Sequence, residues 1–229
     1  MKKQKFYLLI ILILGFFLRT VVLARFPAGF SPDEAAQGYT AYSILKTGKD
    51  EWGVRLPLTP RSFGDYKPPL QTYLMIPSIA VLGLNELAVR LPNAILGTLA
   101  ILAVFLLAKE LFKDTTFGEP LSLMSAFLLA VSPWQMSFSR GAFEANLITF
   151  FMSIGCWFFL KGLKKSNYLP LAGVFLGLNL FTCHAAKLLT PLLVIILVVW
   201  GREELVRLKK EKGKAIMGGI IFFCNLFIY

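Results

Sequence analysis

Four short polar stretches carry the side chains of this chain that can do chemistry. They are Asp33 and Glu34 in SPDEAAQGYTAY, Asp65 and Lys67 in SFGDYKPPLQTY, Arg140 and Glu144 in SRGAFEANL, and His184 and Lys187 in TCHAAKLLTP. A carboxylate can take a proton from an attacking hydroxyl or amine, and an ammonium or guanidinium can hold an anion such as a phosphate. Asp33, Asp65 and Glu144 together would also offer oxygen ligands to a divalent cation. Each stretch has a plainer reading. Ser31, Pro32 and Glu34 spell a capping box with proline at the first helical position and Gly48 as the stop. That pattern accounts fully for Glu34, but for Asp33 only through the helix dipole. Asp65 and Lys67 precede a Pro-Pro that fixes an extended turn. Arg140 and Glu144, four apart, would pair on one helical face. His184 and Lys187 suit an interfacial histidine and a snorkelling lysine.

The elements that must position these groups are apolar. The chain has 229 residues, 56% hydrophobic and only 16% charged, against about 25% charged in soluble domains. Apolar runs recur along it, which predicts an all-α, polytopic membrane helix bundle. Spans are expected over about 6–24, 88–108, 120–138, 142–160, 168–183, 188–200 and 215–229, with an outer loop over 25–87 carrying amphipathic juxtamembrane helices. The first run follows MKKQK and has some features of a signal peptide, but its length and Arg19 favour a retained span. LQTYLMIPSIAVLGL, at 70–84, is short and holds Pro77, which suits an interfacial or re-entrant helix. The last run ends at Tyr229 without a flanking loop, as the N-terminal part of a longer protein would. Cys156, Cys183 and Cys224 lie in or beside apolar segments without metal or disulfide spacing.

The net charge of +11 does not point to nucleic acid, because the basic residues fall in short clusters between apolar runs. The positive-inside rule places Lys2/Lys3/Lys5, Lys109/Lys113, Lys161/Lys164/Lys165 and the cluster from Arg202 to Lys214 in the cytoplasm, provided 70–84 does not span. That gives fourteen Lys and Arg inside against nine outside. All four polar stretches then face the outer side of the plasma membrane.

The ordered set PDEA, GDYKPPL, NELAVRLPNAILGTLAILAVFLLAKELF and SPWQMSFSRGAFEANL resembles the GT-C glycosyltransferases. It is most similar to the branch holding the protein O-mannosyltransferases and the lipid A aminoarabinose transferases. The resemblance runs over essentially the whole chain, which would be roughly the N-terminal half of a typical member. It implies transfer of a sugar from a polyprenyl-phosphate donor to a protein, lipid or glycan acceptor at the outer membrane face, with inversion. It implies that Asp33 is the general base and that Glu34 fills the second acidic position of the catalytic pair. Asp65 and Lys67 match the acidic residue and phosphate-facing lysine before the Lys-Pro turn, and Glu144 an acidic position, often Asp, in the second outer loop. Arg140 and Lys187 match phosphate contacts by position, and His184, beside Lys187 in the chain, is a further candidate for substrate binding. No cofactor is fixed, and a divalent cation on Asp33, Asp65 and Glu144 stays open. The rival readings are a flippase for an anionic or sugar-linked lipid and an inactive lipid-binding subunit. Charges at span ends, without an internal repeat, separate the first rival from transporters with midplane sites.

Overall fold

The computed structural model describes residues 2–62 and 64–212, so the expected span over 215–229 and Cys224 lie outside the described residues. Among the described residues ten α-helices follow one another: α1 (Lys2–Thr20), α2 (Pro32–Thr47), α3 (Pro69–Leu82), α4 (Glu86–Leu111), α5 (Gly118–Val131), α6 (Pro133–Arg140), α7 (Ala145–Gly162), α8 (Leu169–Asn179), α9 (His184–Trp200) and α10 (Arg202–Lys212). A minimal antiparallel hairpin, β1 (Arg61–Ser62) with β2 (Asp65–Tyr66), interrupts the loop between α2 and α3. The protein is an all-α membrane bundle. Among the described residues α4 and α7 are each long and apolar enough to cross a bilayer, and two bent helix pairs reach that length together. α3, with 14 residues, rises about 21 Å and falls short of a hydrocarbon core of about 30 Å.

α4 is the axis. At one end of the bundle α1 and α5 pack on it through Ile11, Ile101, Phe105, Ala126 and Ala130. At the other, α2 and α3 meet its start through Ala41, Met75, Ile79, Ala88 and Val89, with Ala142 closing the cluster. Small residues allow the closest crossing: a methyl group on Gly97 of α4 would run into the Ser139 side chain of α6.

Residues 120–138 form not one straight span but α5 and α6, which meet at 55°. Pro133 is the cause, since it has no N–H to give to the Leu129 carbonyl one turn back. A buried side chain replaces that donor. Arg19 of α1, fully buried, donates Nη2 to the Leu129 carbonyl at 3.1 Å and Nη1 to the carbonyls of Ala130 and Gly15, both at 3.0 Å. The same compensation occurs at Pro92 in α4, whose missing N–H would have met the Ala88 carbonyl. The Ser78 hydroxyl of α3 donates to that oxygen at 2.6 Å. In hydrocarbon an unpaired carbonyl costs several kcal/mol, so each proline requires a donor from a neighbouring helix.

α8 and α9 run to one end of the bundle and back. Phe181, in the turn between them, accepts from the Leu70 N–H at the start of α3 (3.2 Å), while Trp200 shares a cavity wall with Glu110, Leu163 and Lys164 at the opposite end. The clusters that the charge pattern assigns to one side gather there. Lys113, Lys161 and Lys164 all pair with Glu110, at 3.0, 3.4 and 2.8 Å, and Lys109 donates to Gln4 of α1.

Replacing Arg19 by Met strands the Leu129 and Ala130 carbonyls. Arg19→Met is expected to lower the stability of the detergent-solubilised protein by about 3 kcal/mol, read as the midpoint of thermal unfolding. A Ser125→Ala control, which removes only an exposed hydroxyl bonded to its own helix at Leu121, should leave the midpoint unchanged.

Candidate active site

The end of the bundle that holds the start of α4 also holds the polar stretches. α2 begins as its residues dictate. Ser31 Oγ accepts from the Glu34 N–H at 3.2 Å, Glu34 Oε2 accepts from the Ser31 N–H at 2.9 Å, and Pro32 takes the first helical position. Gly48 ends the helix with φ +70°, the left-handed conformation a C-terminal glycine adopts without penalty.

Glu34 does more than cap. Its Oε1 also accepts from Arg90 Nε at 2.9 Å and from the Ala142 N–H at 3.0 Å, and its Oε2 from Arg90 Nη2 at 3.2 Å. The side chains of Arg90 and Glu34 are 1% and 4% exposed, so the pair is sealed from water. The rest of the guanidinium serves the loop after α1, donating to the carbonyls of Leu23, Pro27 and Gly29. Burial alone would raise the Glu34 carboxyl. The bonds from Arg90, Ser31 and Ala142 outweigh it and hold the group below the usual glutamate value. Glu34, expected as a second catalytic carboxylate, is therefore sealed and fully engaged, and this geometry gives it no path to a substrate.

Its neighbour is open. One residue back on the first turn, the Asp33 side chain is 58% exposed and meets Lys67 Nζ at 3.4 Å. Lys67 also meets Asp65 Oδ2 at 3.2 Å. The β1–β2 hairpin makes this possible. Gly64 turns it at φ +83°, Asp65 Oδ1 accepts from the Tyr66 N–H, and the Lys67 N–H is tied to the Pro60 carbonyl at 2.8 Å. The Lys67 bond and the Tyr66 N–H hold Asp65 below the ordinary aspartate value. Partial burial would lower the Lys67 ammonium, but Asp65 and Asp33, with Glu144 behind them, raise it above the ordinary lysine value.

Glu144 stands just before α7 and accepts from Gln37 Nε2 of α2 at 2.8 Å. Gln37 lies one turn after Asp33, so one helix presents both groups to the same side. Burial is the main reason that the Glu144 carboxyl is pushed up to about 7; Asp33 and Asp65 add to the rise, and Lys67 and Gln37 oppose it. Asn93 of α4 sets the loop before Glu144 by donating to the carbonyls of Gly141 (2.7 Å) and Phe143 (3.0 Å), while Asn146 donates to the Asn93 carbonyl. His184 is exposed and close enough to Asp65 to act on its charge, and Lys187 is exposed one turn further on. Arg140 departs from expectation. It does not pair with Glu144: its Nη1 and Nη2 donate to the carbonyls of Leu18, Val21 and Phe26, clamping the end of α1.

Lys67 Nζ already occupies the cationic position between Asp33 and Asp65, and among the described residues no three His, Cys, Asp or Glu side chains stand close enough to bind an ion together. Arg90, Gln37 and Asn93 were not legible as site residues. The one available signal was an arginine followed by Leu-Pro at the start of an otherwise uncharged apolar run.

The helical framework is that of the GT-C membrane proteins. It superposes over 97% of the chain, with TM-score 0.68 and 16% identity, on 39% of the crystal structure of ArnT from Cupriavidus metallidurans bound to undecaprenyl phosphate. Residues 66–229, well over half of the chain, match the dolichyl-phosphate-mannose-protein mannosyltransferase family, and the chain belongs to it. Two sequence relatives agree. A Bacillus subtilis (strain 168) protein, YkcB, whose mannosyltransferase designation is provisional, is 26% identical over 136 residues, 58% of this chain and 18% of its own. An uncharacterized Aquifex aeolicus (strain VF5) protein is 27% identical over 220 residues, 93% of this chain and 41% of its own. The chain thus spans less than half the length of each of these three proteins.

Two measurements check the electrostatics. Glu34→Gln leaves Arg90 buried beside a neutral amide and should cost about 3–5 kcal/mol, whereas the paired Glu34→Gln/Arg90→Met change should cost less than the sum of the two single changes. Infrared titration should show a carboxyl C=O band that is lost as pH rises through about 7. The band should be absent in Glu144→Gln, and its midpoint should move up in Lys67→Met, because removing a cation favours the neutral acid.

Proposed function

We propose that this chain is the donor-binding, catalytic part of a glycosyltransferase that takes a sugar from a polyprenyl-phosphate carrier at the outer face of the plasma membrane. The observation that carries the reading is Lys67, a largely buried ammonium held between the exposed carboxylates of Asp33 and Asp65 at the end of an apolar bundle. Family membership supports transferase chemistry with mannose as the first sugar to try, and the undecaprenyl phosphate bound to ArnT supports a lipid-phosphate donor. The gathering of Lys109, Lys113, Lys161 and Lys164 at the far end supports a cytoplasmic assignment for that end and an outer one for the site.

In this mechanism Asp33 is the general base. An acceptor hydroxyl or amine attacks the anomeric carbon while its proton passes to the Asp33 carboxylate, and the bond from that carbon to the phosphate oxygen breaks with inversion. The departing phosphate keeps the electron pair, and Lys67 stabilises its charge, exchanging a carboxylate contact for a phosphate one. Asp65 keeps the lysine charged and aimed. Glu34 and Arg90 are positioning residues that hold the turn bearing Asp33. Lys187 and His184, both exposed, would meet the sugar-phosphate headgroup of the donor, while Arg140 holds the loop between α1 and α2. An apolar cavity of about 490 Å³ between α3 and α4, walled by Leu74, Pro77, Val81, Leu91 and Ile95, opens on the α3 helix that Lys67 precedes and suits part of a prenyl chain.

Glu144 makes the donor site pH-sensitive. Above about 7 it is an anion competing with the donor phosphate for Lys67, and below that it is neutral. In the full-length protein with polyprenyl-phosphate mannose, Asp33→Asn should lower kcat by at least about a thousandfold while donor binding stays within about threefold. Lys67→Gln should raise the donor KM. Wild-type donor KM should rise as pH increases through about 7, and Glu144→Gln should flatten that rise. Wild-type turnover by Asp33→Asn would remove the base assignment.

A further inference from the structure

The end of the bundle opposite the candidate site carries a second arrangement of cations, and the transfer chemistry does not use it. Arg90 and Glu110 mark the two ends of α4, about 30 Å apart along its axis. Around Glu110 a cavity of about 500 Å³ opens between α1, α4, α5 and α7. That volume is within the range of small-ligand sites. Lys109, Lys113 and Lys161 line it, with Gln4, Trp157 and the first turn of α5 at Gly118.

Two features show that its cations are in excess. Glu110 is shared among three ammonium groups, Lys113, Lys161 and Lys164. Among the described residues Lys109 pairs with no carboxylate: its Nζ donates to Gln4 Oε1 at 2.9 Å and lies 5.7 Å from the centre of the Phe105 ring. Glu119 also faces the cavity, so the lining holds three lysines against two carboxylates, one of them already matched by Lys164 from outside the cavity.

The second, independent feature is an unused donor. Gln4 is 5% exposed, and its Nε2 has no hydrogen-bond partner among the described residues. A buried amide N–H without an acceptor is destabilising. Gln4 itself lines a cavity whose lysines attract the type of ligand that would satisfy that amide, an anion with several acceptor oxygens. Apolar surface continues from the same opening. Leu121, Met124 and Leu128 follow Gly118 at helical spacing on α5 and are exposed, as is Phe6 on α1.

We propose that this cavity is a binding site for the phosphate of an anionic phospholipid headgroup, with the acyl chains along the exposed faces of α1 and α5. Basic pockets between membrane helices recognise such headgroups. Lys109, Lys113 and Lys161 contact the phosphate oxygens, Gln4 Nε2 donates to one of them, and Glu119 disfavours more highly charged ligands. The inference is independent of the transfer reading, since none of these residues belongs to the Lys67 cluster.

The test uses the full-length protein in a neutral detergent and reads thermal unfolding as dioleoyl-phosphatidylglycerol, dioleoyl-phosphatidylcholine or inorganic phosphate is added. Phosphatidylglycerol should raise the unfolding midpoint saturably, and phosphatidylcholine should not. Gln4→Glu keeps the acceptor for Lys109 but puts a carboxylate oxygen where the amide nitrogen lies, so its unliganded midpoint should match wild type. The half-saturating phosphatidylglycerol concentration of that variant should rise at least about tenfold. Lys113→Gln leaves Glu110 paired to two lysines and should weaken the response similarly. If inorganic phosphate alone reproduces the full shift with the same variant sensitivity, the phosphate site stands and the lipid source is overturned. Equal shifts in wild type and both variants, or none with either phosphate source, overturn the site itself.

Discussion

The buried pair of Glu34 and Arg90 is the interaction on which the rest of this end of the molecule depends. A carboxylate and a guanidinium out of water are tolerated only when every polar atom finds a partner, and here the partners come from four separate segments. Arg90 brings α4, Glu34 brings α2, the carbonyls of Leu23, Pro27 and Gly29 bring the loop after α1, and the Ala142 N–H brings the loop before α7. Because Asp33 and Gln37 ride on the same turn and a half of helix as Glu34, locking one carboxylate in the interior sets the position of the other at the surface. Two adjacent acids of similar intrinsic acidity thus have separate tasks, decided by which direction each leaves the helix.

The same accounting of hydrogen bonds shapes the transmembrane region. Pro92 and Pro133 each free a carbonyl in an apolar setting, and Ser78 and Arg19 supply the missing donors from other helices. Arg19 and Arg140 form a reciprocal clamp. The first reaches from α1 to the broken end of α5, and the second reaches from the end of α6 back to the carbonyls at the end of α1. Carbonyl oxygens of the protein take up the terminal N–H groups of both arginines, so each ties two helix ends together.

Charge is sorted along the long axis. The end with Asp33, Asp65, Glu144 and Lys67 holds three carboxylates around one ammonium, and the end with Glu110 holds several ammonium groups around one carboxylate. The two clusters are thus of opposite local polarity. In the first the carboxylates favour the charged lysine while burial raises the Glu144 carboxyl to about 7, and in the second three lysines share Glu110.

Much of this was legible in the residues themselves. Hydropathy alone separates membrane helices from polar stretches, proline and length keep α3 too short to cross, and Ser31, Pro32, Glu34 and Gly48 define α2 from cap to cap, because these signals depend on neighbours within a turn or two. The convergence of Asp33, Asp65, Lys67 and Glu144 could be anticipated from the alternation of loops. What local signals could not carry was direction and partnership. Whether Glu34 faces inward and Asp33 outward, whether Arg140 meets Glu144 or the carbonyls of α1, and which donor answers Pro133 all depend on groups that approach from segments tens of residues away. Composition and short-range pattern determine that a helix starts at Ser31 and that charged residues gather at its mouth. Only the tertiary structure decides which charge is buried, because the desolvation of a carboxylate is offset only where Arg90 and the Ala142 N–H arrive together.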